Sequence, residues 1–277
     1  MTADLPIFVI NLDRVPDRIE EVRAQFDAVG LADHVRRFSA VDASAAEFTA
    51  PGYAPASWHD RWSLLASEQA IFESHRAVWQ RVIDDGLPGA VICEDDILVS
   101  DSFPTSLASL ELERFGIVKL DGFYAARRYG PPEAMETVSV RPICEHVPSA
   151  ACYAISRTAA AALLSDSQQY CMTLDDFAFM PRAGIHPAQI FPAVAVQAMC
   201  VADAGVVRVM ASSERGGDAM RAGGKANKGP VLFRLRKELT RLKTRLSRKM
   251  GGDTALLAAG GIIARPDLAP DLPPYRQ

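Results

Sequence analysis

Two rhythms of apolar positions divide the chain. Short runs rich in Ile, Val and Phe have the composition of strands: "PIFVINLD" (6–13), "VRRFSAVDA" (35–43), "AVICEDD" (90–96) and "GIVKLDG" (116–122). Between them the apolar residues recur at three and four. "DRIEEVRAQFDAVGL" places Ile19, Val22, Phe26 and Val29 on one helix face, with Asp17 as a capping candidate and Gly30 as its stop. "SLLASEQAIFESHRAVWQRVIDDGLP" predicts the longest helix of this part, ended by Gly86-Leu87-Pro88. Residues 103–114 predict another helix, 149–167 a small-residue strand running into an Ala-rich helix, 173–184 a short helix and 185–197 a strand. "TVSVRPIC" (137–144) reads as a strand or hairpin arm, while 43–62 and 125–135 read as loops. Strands alternating with helices imply an α/β fold with a mostly parallel central sheet flanked by helices.

Beyond residue 203 the pattern changes. Residues 204–231 are Gly-rich, 232–250 form a basic amphipathic segment, and 251–277 make a tail rich in proline, so 1–203 is read as the main domain. In the basic segment Leu232, Leu235, Leu239, Leu242, Leu246 and Met250 recur at helical spacing among eight Lys or Arg and one acid, Glu238. The net charge is −4, so a segment carrying +7 leaves −11 on everything else. An acidic body argues against nucleic acid as partner, whereas one cationic helix with an apolar stripe suits peripheral contact with an anionic inner-membrane surface. No apolar run has the length of a transmembrane helix, the N-terminus lacks a basic leader, and five cysteines show no CxxC spacing; these predict a cytoplasmic protein with reduced thiols.

The candidate chemistry lies where the strand at 90–93 ends in Glu94, Asp95 and Asp96. Ligands of open α/β sheets sit beyond the carboxyl ends of strands. In extended chain Glu94 and Asp96 share one face and Asp95 takes the other. Three adjacent anions are costly unless a cation neutralises them, and carboxylate oxygens favour Mg²⁺ or Mn²⁺, which also bridge phosphates. On the triplet alone a nuclease, a phosphotransferase and a nucleotide-sugar enzyme are all open.

The blocks "FVINLDRVPDR", "SEQAIFESHRAVWQ", "AVICEDDI", "SAACYAIS" and "LDDFAF" stand in an order and spacing that resemble glycosyltransferase family 25, over roughly residues 6–200. That family includes lipopolysaccharide sugar transferases and the related procollagen galactosyltransferases. The resemblance implies a GT-A type nucleotide-binding fold, a UDP-sugar donor with galactose as the default hexose, a divalent metal (commonly Mn²⁺), inversion at the sugar carbon, and a saccharide or lipid-linked saccharide acceptor. It implies donor-side positions at Asn11, Leu12, Asp13, Arg14, Arg18, Asp42, Glu68, Ser74 and His75. It also implies an acidic metal motif at Glu94, Asp95 and Asp96, and a later acidic position at Asp175. Two departures stand out: Ser67 and Ala70 replace glycines common in the family, and Cys93 replaces a leucine.

Within this frame Asp96 is the first expected metal ligand, with Glu94 beside it, and Arg14 and Arg18 are candidate phosphate contacts through their planar guanidinium groups. His75 is either a donor-site residue or a satisfied core histidine. Inversion requires a base for the acceptor hydroxyl, for which Asp175 is the leading choice, Asp176 the next and Asp121 the third; a helix-capping role is the alternative for the first two. Tyr53, Trp58 and Trp62 suit either sugar stacking or core filling. Rival readings are a metal-dependent phosphodiesterase or nucleotidyltransferase, and a catalytically silent nucleotide-sugar-binding protein.

Overall fold

The structure, a computed structural model, describes residues 4–202 and 227–276. Most of the Gly-rich segment therefore lies outside the described residues.

The expected succession of strands and helices is present, with shifts at several boundaries. Strand β1 (Ile7–Asn11) leads to α1 (Pro16–Ala28), and β2 (Val35–Ser39) follows. Pro16 opens α1, since its missing N–H and fixed φ suit a first turn. Asp17 is not the cap: Val15 precedes the helix and makes no side-chain cap, so Asp17 instead places its charge in the first turn. Gly30, at φ +76°, ends the element as its sequence suggests. Helix α2 (Ala66–Asp84) follows a long loop, then β3 (Gly89–Glu94) and β4 (Ile97–Val99). The single helix expected at 103–114 is two short ones, α3 (Phe103–Ala108) and α4 (Leu112–Phe115). The run at 116–122 is likewise broken into β5 (Ile117–Lys119) and β6 (Asp121–Gly122).

Three short strands, β7 (Arg127–Tyr129), β8 (Glu133–Ala134) and β9 (Ser139–Pro142), occupy the next stretch. After them come β10 (Cys152–Ser156), α5 (Arg157–Asp166), α6 (Leu174–Ala178), β11 (Ala188–Phe191) and β12 (Ala195–Gln197). Among the described residues the main sheet has eight strands in the order β2-β1-β3-β10-β5-β11-β9-β8. It is mixed, not mostly parallel. Strands β2, β1 and β3 run together, as do β5 and β11, but β10 enters antiparallel between β3 and β5, and β9 pairs antiparallel with both β11 and β8. The cause lies in the connection from β5 to β10. A parallel neighbour needs a crossover, usually helical, and residues 123–151 supply short strands and loops in its place.

Side-chain alternation builds two cores. Ile7, Val9, Val91, Cys93, Cys152 and Ala154 face one, with α1, α3 and α4; Phe8, Ile10, Ala90, Ile92, Tyr153 and Ile155 face the other, with α2, α5 and α6. The five cysteines are free, and all but Cys144 are buried.

The basic segment forms α7 (Val231–Ser247), continued by a wider turn to Gly252 and by α8 (Asp253–Ala258). The proline-rich tail is more ordered than its composition suggests. Strand β13 (Ile262–Ala264) pairs with β7, Ala193 and Leu268 form a bridge, and Val201 and Tyr275 form another. Ala269 and Leu272 are buried in the first core. Its prolines interrupt regular elements but leave enough N–H and C=O groups to pair with the residues after β11 and β12: Ala269 N–H donates to Ala193 O at 2.9 Å, and Ala202 N–H to Pro274 O at 2.9 Å.

This seal is tight at Gly122, where a Cβ would meet Leu268 at 2.8 Å, Ala193 at 3.1 Å and the Tyr275 hydroxyl closer still. Gly122→Ala is expected to lower stability by about 1–3 kcal/mol through overpacking, read as a shift in the urea midpoint; an unchanged midpoint would mean the tail does not press on β6.

Candidate functional site

Parallel pairing sets the site. Asn11 registers with Ser39, and Ile10 with Glu94, so the loops leaving β1, β2 and β3 emerge side by side. They open a cavity of about 190 Å³ lined by Leu12, Arg14, Arg18, Asp42, Ser74, His75, Glu94, Asp95, Asp96 and Gln197. Asn11, Asp13 and Glu68 stand outside this lining.

The turn at Asp95 and Asp96, between β3 and β4, divides the acidic triplet into two tasks. Asp95 turns inward and is buried, accepting from Asn11 Nδ2 at 2.7 Å and from Arg18 Nη1 at 3.3 Å. Asn11 is itself buried; its Nδ2 also donates to Val15 O at 2.9 Å, and its Oδ1 accepts from Arg37 Nε at 2.9 Å. Asp95, Asn11 and Arg18 thus clamp the β1–α1 turn to the end of β3. Glu94 and Asp96 share the other face, where one amide reaches both: Gln197 Nε2 lies 2.9 Å from Glu94 Oε2 and 3.3 Å from Asp96 Oδ1. Strand β12 delivers that glutamine by pairing with β4, and Ala198 N–H donates to Asp96 O at 2.8 Å.

The remaining donor-side candidates hold the walls. Arg14 Nε donates to Asp42 Oδ2 at 2.9 Å, and Ser44 donates to Asp42 Oδ1. Burial acts to raise the Asp42 carboxyl, but the Ser44 and Arg14 hydrogen bonds outweigh it and hold it below the usual range. Asp13 is exposed, and hydrogen bonds from Arg37 and Ser39 keep its carboxyl low. Ser74 Oγ accepts from Val41 N–H at 2.9 Å and donates to Ala70 O, bracing the loop after β2 against α2. His75, 1 % exposed, makes a 2.8 Å hydrogen bond through Nδ1 with the Tyr153 hydroxyl, which also accepts from Trp79 Nε1 at 3.0 Å. The histidine is thus both a buried core residue, bonded through Nδ1, and part of the cavity wall. Glu68 accepts from Leu65 N–H at 2.8 Å, securing the first turn of α2.

A second cavity of about 150 Å³ adjoins the first, and Ile71 and Glu94 line both. Its walls carry Arg61, Glu68, His146, Ser149, Thr173 and Asp175. Asp175 Oδ2 accepts from Ser149 N–H at 3.2 Å. Asp176 is bound to His146, to Thr173 Oγ1 at 2.8 Å and more distantly to Arg61. Burial opposes both charges of that pair. The Asp176–His146 hydrogen bond overrides it, lowering the aspartate and raising the imidazole.

Asp121 does not fit the role of base. It is 0 % exposed, with Lys119 Nζ at 2.5 Å from Oδ2, Ser149 Oγ at 2.6 Å and Cys152 N–H on Oδ1. It anchors Ser149, whose φ of +71° is unusual for a residue with a side chain and points the Ser149 N–H at Asp175.

Gln197, His146, Ser149 and Arg61 are site residues that the sequence reading misses. Gln197 had one faint signal, an amide closing the apolar run "AVAV"; the others sit in loops without periodicity. The aromatic residues of the 43–62 loop serve packing: Trp58 and Trp62 stack edge-on with each other and surround Phe233 of α7, while Tyr53 lies against Tyr170.

Among the described residues, no group of three or more His, Cys, Asp or Glu is arranged to hold a metal ion. A hard cation in a phosphate site needs only one or two protein carboxylates, because phosphate oxygens and water complete its shell. Glu94 and Asp96, both within reach of one amide at the rim of a cavity, fit that smaller donor set.

The family model described as "Glycosyltransferase family 25 (LPS biosynthesis protein)" matches residues 4–178, more than half of the chain. The chain belongs to glycosyltransferase family 25. The match runs from before β1 through α6 and takes in every lining residue of the two cavities except Gln197 and Met199. Among curated family 25 relatives, a Drosophila pseudoobscura pseudoobscura "Glycosyltransferase 25 family member" is 30% identical over 133 residues, covering 44% of this chain and 20% of that one. A mouse protein named "Inactive glycosyltransferase 25 family member 3" is 31% identical over 137 residues, covering 46% and 22%. The match thus spans about a fifth of the length of these curated relatives. A solved structure titled mannose-1-phosphate geranyltransferase, from Thermus thermophilus, aligns with 67% of this chain and 73% of its own at 13% identity and a TM-score of 0.26, too remote to support any inference.

The two faces of the triplet should separate on mutation. Asp95→Ala takes a carboxylate from the buried Arg18 and is expected to cost about 3 kcal/mol of folding stability. Asp96→Ala at the cavity rim should cost less than about 1 kcal/mol. Equal losses in denaturant titrations would contradict the division.

Proposed function

We propose that this chain is a metal-dependent inverting glycosyltransferase. It moves a hexose, galactose in the first instance, from a UDP-sugar to a saccharide acceptor, free or lipid-linked, in the synthesis of lipopolysaccharide or a related surface glycan. Family membership supports glycosyl transfer in general. The observation that carries the finer reading is the shared wall of the two cavities. Glu94 borders one cavity with Asp96 and the Arg14–Asp42 pair, and the other with Asp175. The mixed α/β sheet, with its acidic motif beyond a parallel strand end, is in keeping with a GT-A-like fold.

In this reading the first cavity takes the nucleotide diphosphate and the second the acceptor. Glu94 and Asp96 would hold Mn²⁺ or Mg²⁺, which when bound neutralises charge on the diphosphate. Arg14 and Arg18 line the same cavity and would offer guanidinium N–H groups to the phosphates, each while held by a carboxylate, and the Asn11–Asp95–Arg18 clamp keeps the β1–α1 turn in place. Asp175 accepts the proton of the acceptor hydroxyl as its oxygen bonds to the anomeric carbon. The bond from that carbon to the diphosphate oxygen breaks on the opposite face, UDP departs with the electron pair, and the configuration inverts. Ser149 N–H orients the Asp175 carboxylate. Asp176, occupied by His146 and Thr173, is the less available of the two.

The test is a panel of UDP-hexoses assayed with Mn²⁺ for released nucleotide. UDP is expected as product, with Asp175→Asn lowering turnover by about 10²–10⁴-fold and leaving UDP affinity unchanged in calorimetry. Release of UMP with sugar 1-phosphate would identify cleavage of the diphosphate instead. Binding without any turnover would identify a silent sugar-nucleotide protein. Absence of UDP binding with Mn²⁺ present would remove the reading altogether.

A further inference from the structure

Helix α7 meets the rest of the protein at its two ends. Near its start Phe233 packs 5.6 Å from Trp58 and 5.3 Å from Trp62, and Lys237 Nζ donates to Asp60 O at 2.7 Å. Beyond its end Arg248 pairs with Glu145, and Asp253 of α8 pairs with Arg128, whose own N–H donates to Glu145 at 2.9 Å. Each anchor stands beside a residue lining the second cavity: Arg61 lies between Asp60 and Trp62, and His146 follows Glu145.

The side of α7 that makes these contacts is not its apolar stripe. Leu232, Leu235, Leu239, Leu242, Leu246 and Met250 are 49–84 % exposed, and Phe233 is the buried residue of the helix. The stripe continues into a shallow groove of about 700 Å³ between α7 and α8, lined by Leu239, Leu242, Leu246, Met250 and Ala255. Seventeen residues at 1.5 Å each make this face roughly 25 Å long.

We infer that the outer face of α7 docks on an anionic lipid bilayer and holds the second cavity close to the membrane surface. Two observations select this occupant. Of the segment's eight cations, set against one acid, Lys237 and Arg248 pair with Asp60 and Glu145 of the body, and the remaining excess complements anionic headgroups while the leucines enter the acyl boundary. A second copy fits less well: stripe against stripe would oppose two segments that each keep an excess of cations, and among the described residues outside 231–258 the large exposed apolar side chains are Trp58, Tyr124, Met180 and Ile263. No described helix is long and apolar enough to cross a membrane, so the contact lies along the surface. The inference does not depend on which sugar is moved, or on transfer itself.

The experiment is sedimentation of the full chain with vesicles of phosphatidylglycerol and phosphatidylethanolamine, and separately of phosphatidylcholine. Partitioning should be at least about tenfold stronger on the anionic vesicles and should fall as salt rises from about 0.1 to 0.5 M, as screening shortens. Leu239→Ser with Leu242→Ser, at exposed positions, should reduce binding at least about tenfold with an unchanged circular dichroism spectrum. A charge reversal, Lys243→Glu with Arg245→Glu, should abolish the preference for anionic lipid. No sedimentation with anionic vesicles, or equal binding of the double-serine variant, would overturn the proposal. So would a solution dimer by light scattering that the same serines dissociate, since the stripe would then belong between copies.

Discussion

Three carboxylates on consecutive residues repel one another, and the site is organised by how that repulsion is relieved. The turn between β3 and β4 sends Asp95 one way and leaves Glu94 and Asp96 within reach of one amide on the other. The inward charge is met by a buried arginine and an asparagine, which ties α1 and the β1 loop to β3. The outward pair is met by the Gln197 amide, which ties β12 to the same point. The loops after β1 and β3 are positioned by these ties, and the loop after β2 by the Ser74 and Arg14–Asp42 hydrogen bonds, on top of the parallel register of β1, β2 and β3. A divalent cation would relieve the outward charge of Glu94 and Asp96 more fully than a neutral amide can, and would in turn attract a diphosphate; this is the physical reason we read the cavity as a donor site.

Most of what could be read from sequence was local. The alternation of "PIFVIN" and "AVIC", the three-and-four spacing of α2, and the Gly30 and Gly86 stops are encoded in adjacent residues, and the structure follows them. The failures share another cause: they depend on pairing between distant segments. Nothing near Cys152–Ser156 states that this strand lies antiparallel between β3 and β5. The choice rests on a connection, 123–151, that contains no crossover helix. The pairing of the tail is hidden from its composition for the same reason. Its prolines do forbid long elements, yet β13 and two bridges need only a few free backbone groups, and their partners are far away in sequence.

The site divides in the same way. Residues in the loops after β1, β2 and β3 were legible because their motifs are contiguous. Gln197 was not, since it acts on residues about a hundred positions earlier and lies beyond the stretch matched by the family model. Asp121 shows the opposite error. An aspartate after an apolar run looks like a site residue, but here β10 covers it and Lys119 neutralises it. Burial, which sequence does not state, separates it from Asp175. Likewise the aromatic loop resembles a sugar platform in composition, but its tryptophans are engaged with Phe233, giving α7 its seat.

We read Glu94 and Asp96 as one half of a cation site completed by a nucleotide diphosphate. Paramagnetic broadening by Mn²⁺ reads this directly, because the Gln197 side-chain amide lies on both carboxylates. Trace Mn²⁺ with UDP is expected to broaden the Gln197 side-chain resonances strongly, while Mg²⁺ with UDP leaves them sharp. Sharp Gln197 signals under Mn²⁺ and UDP, with broadening centred elsewhere, would contradict it.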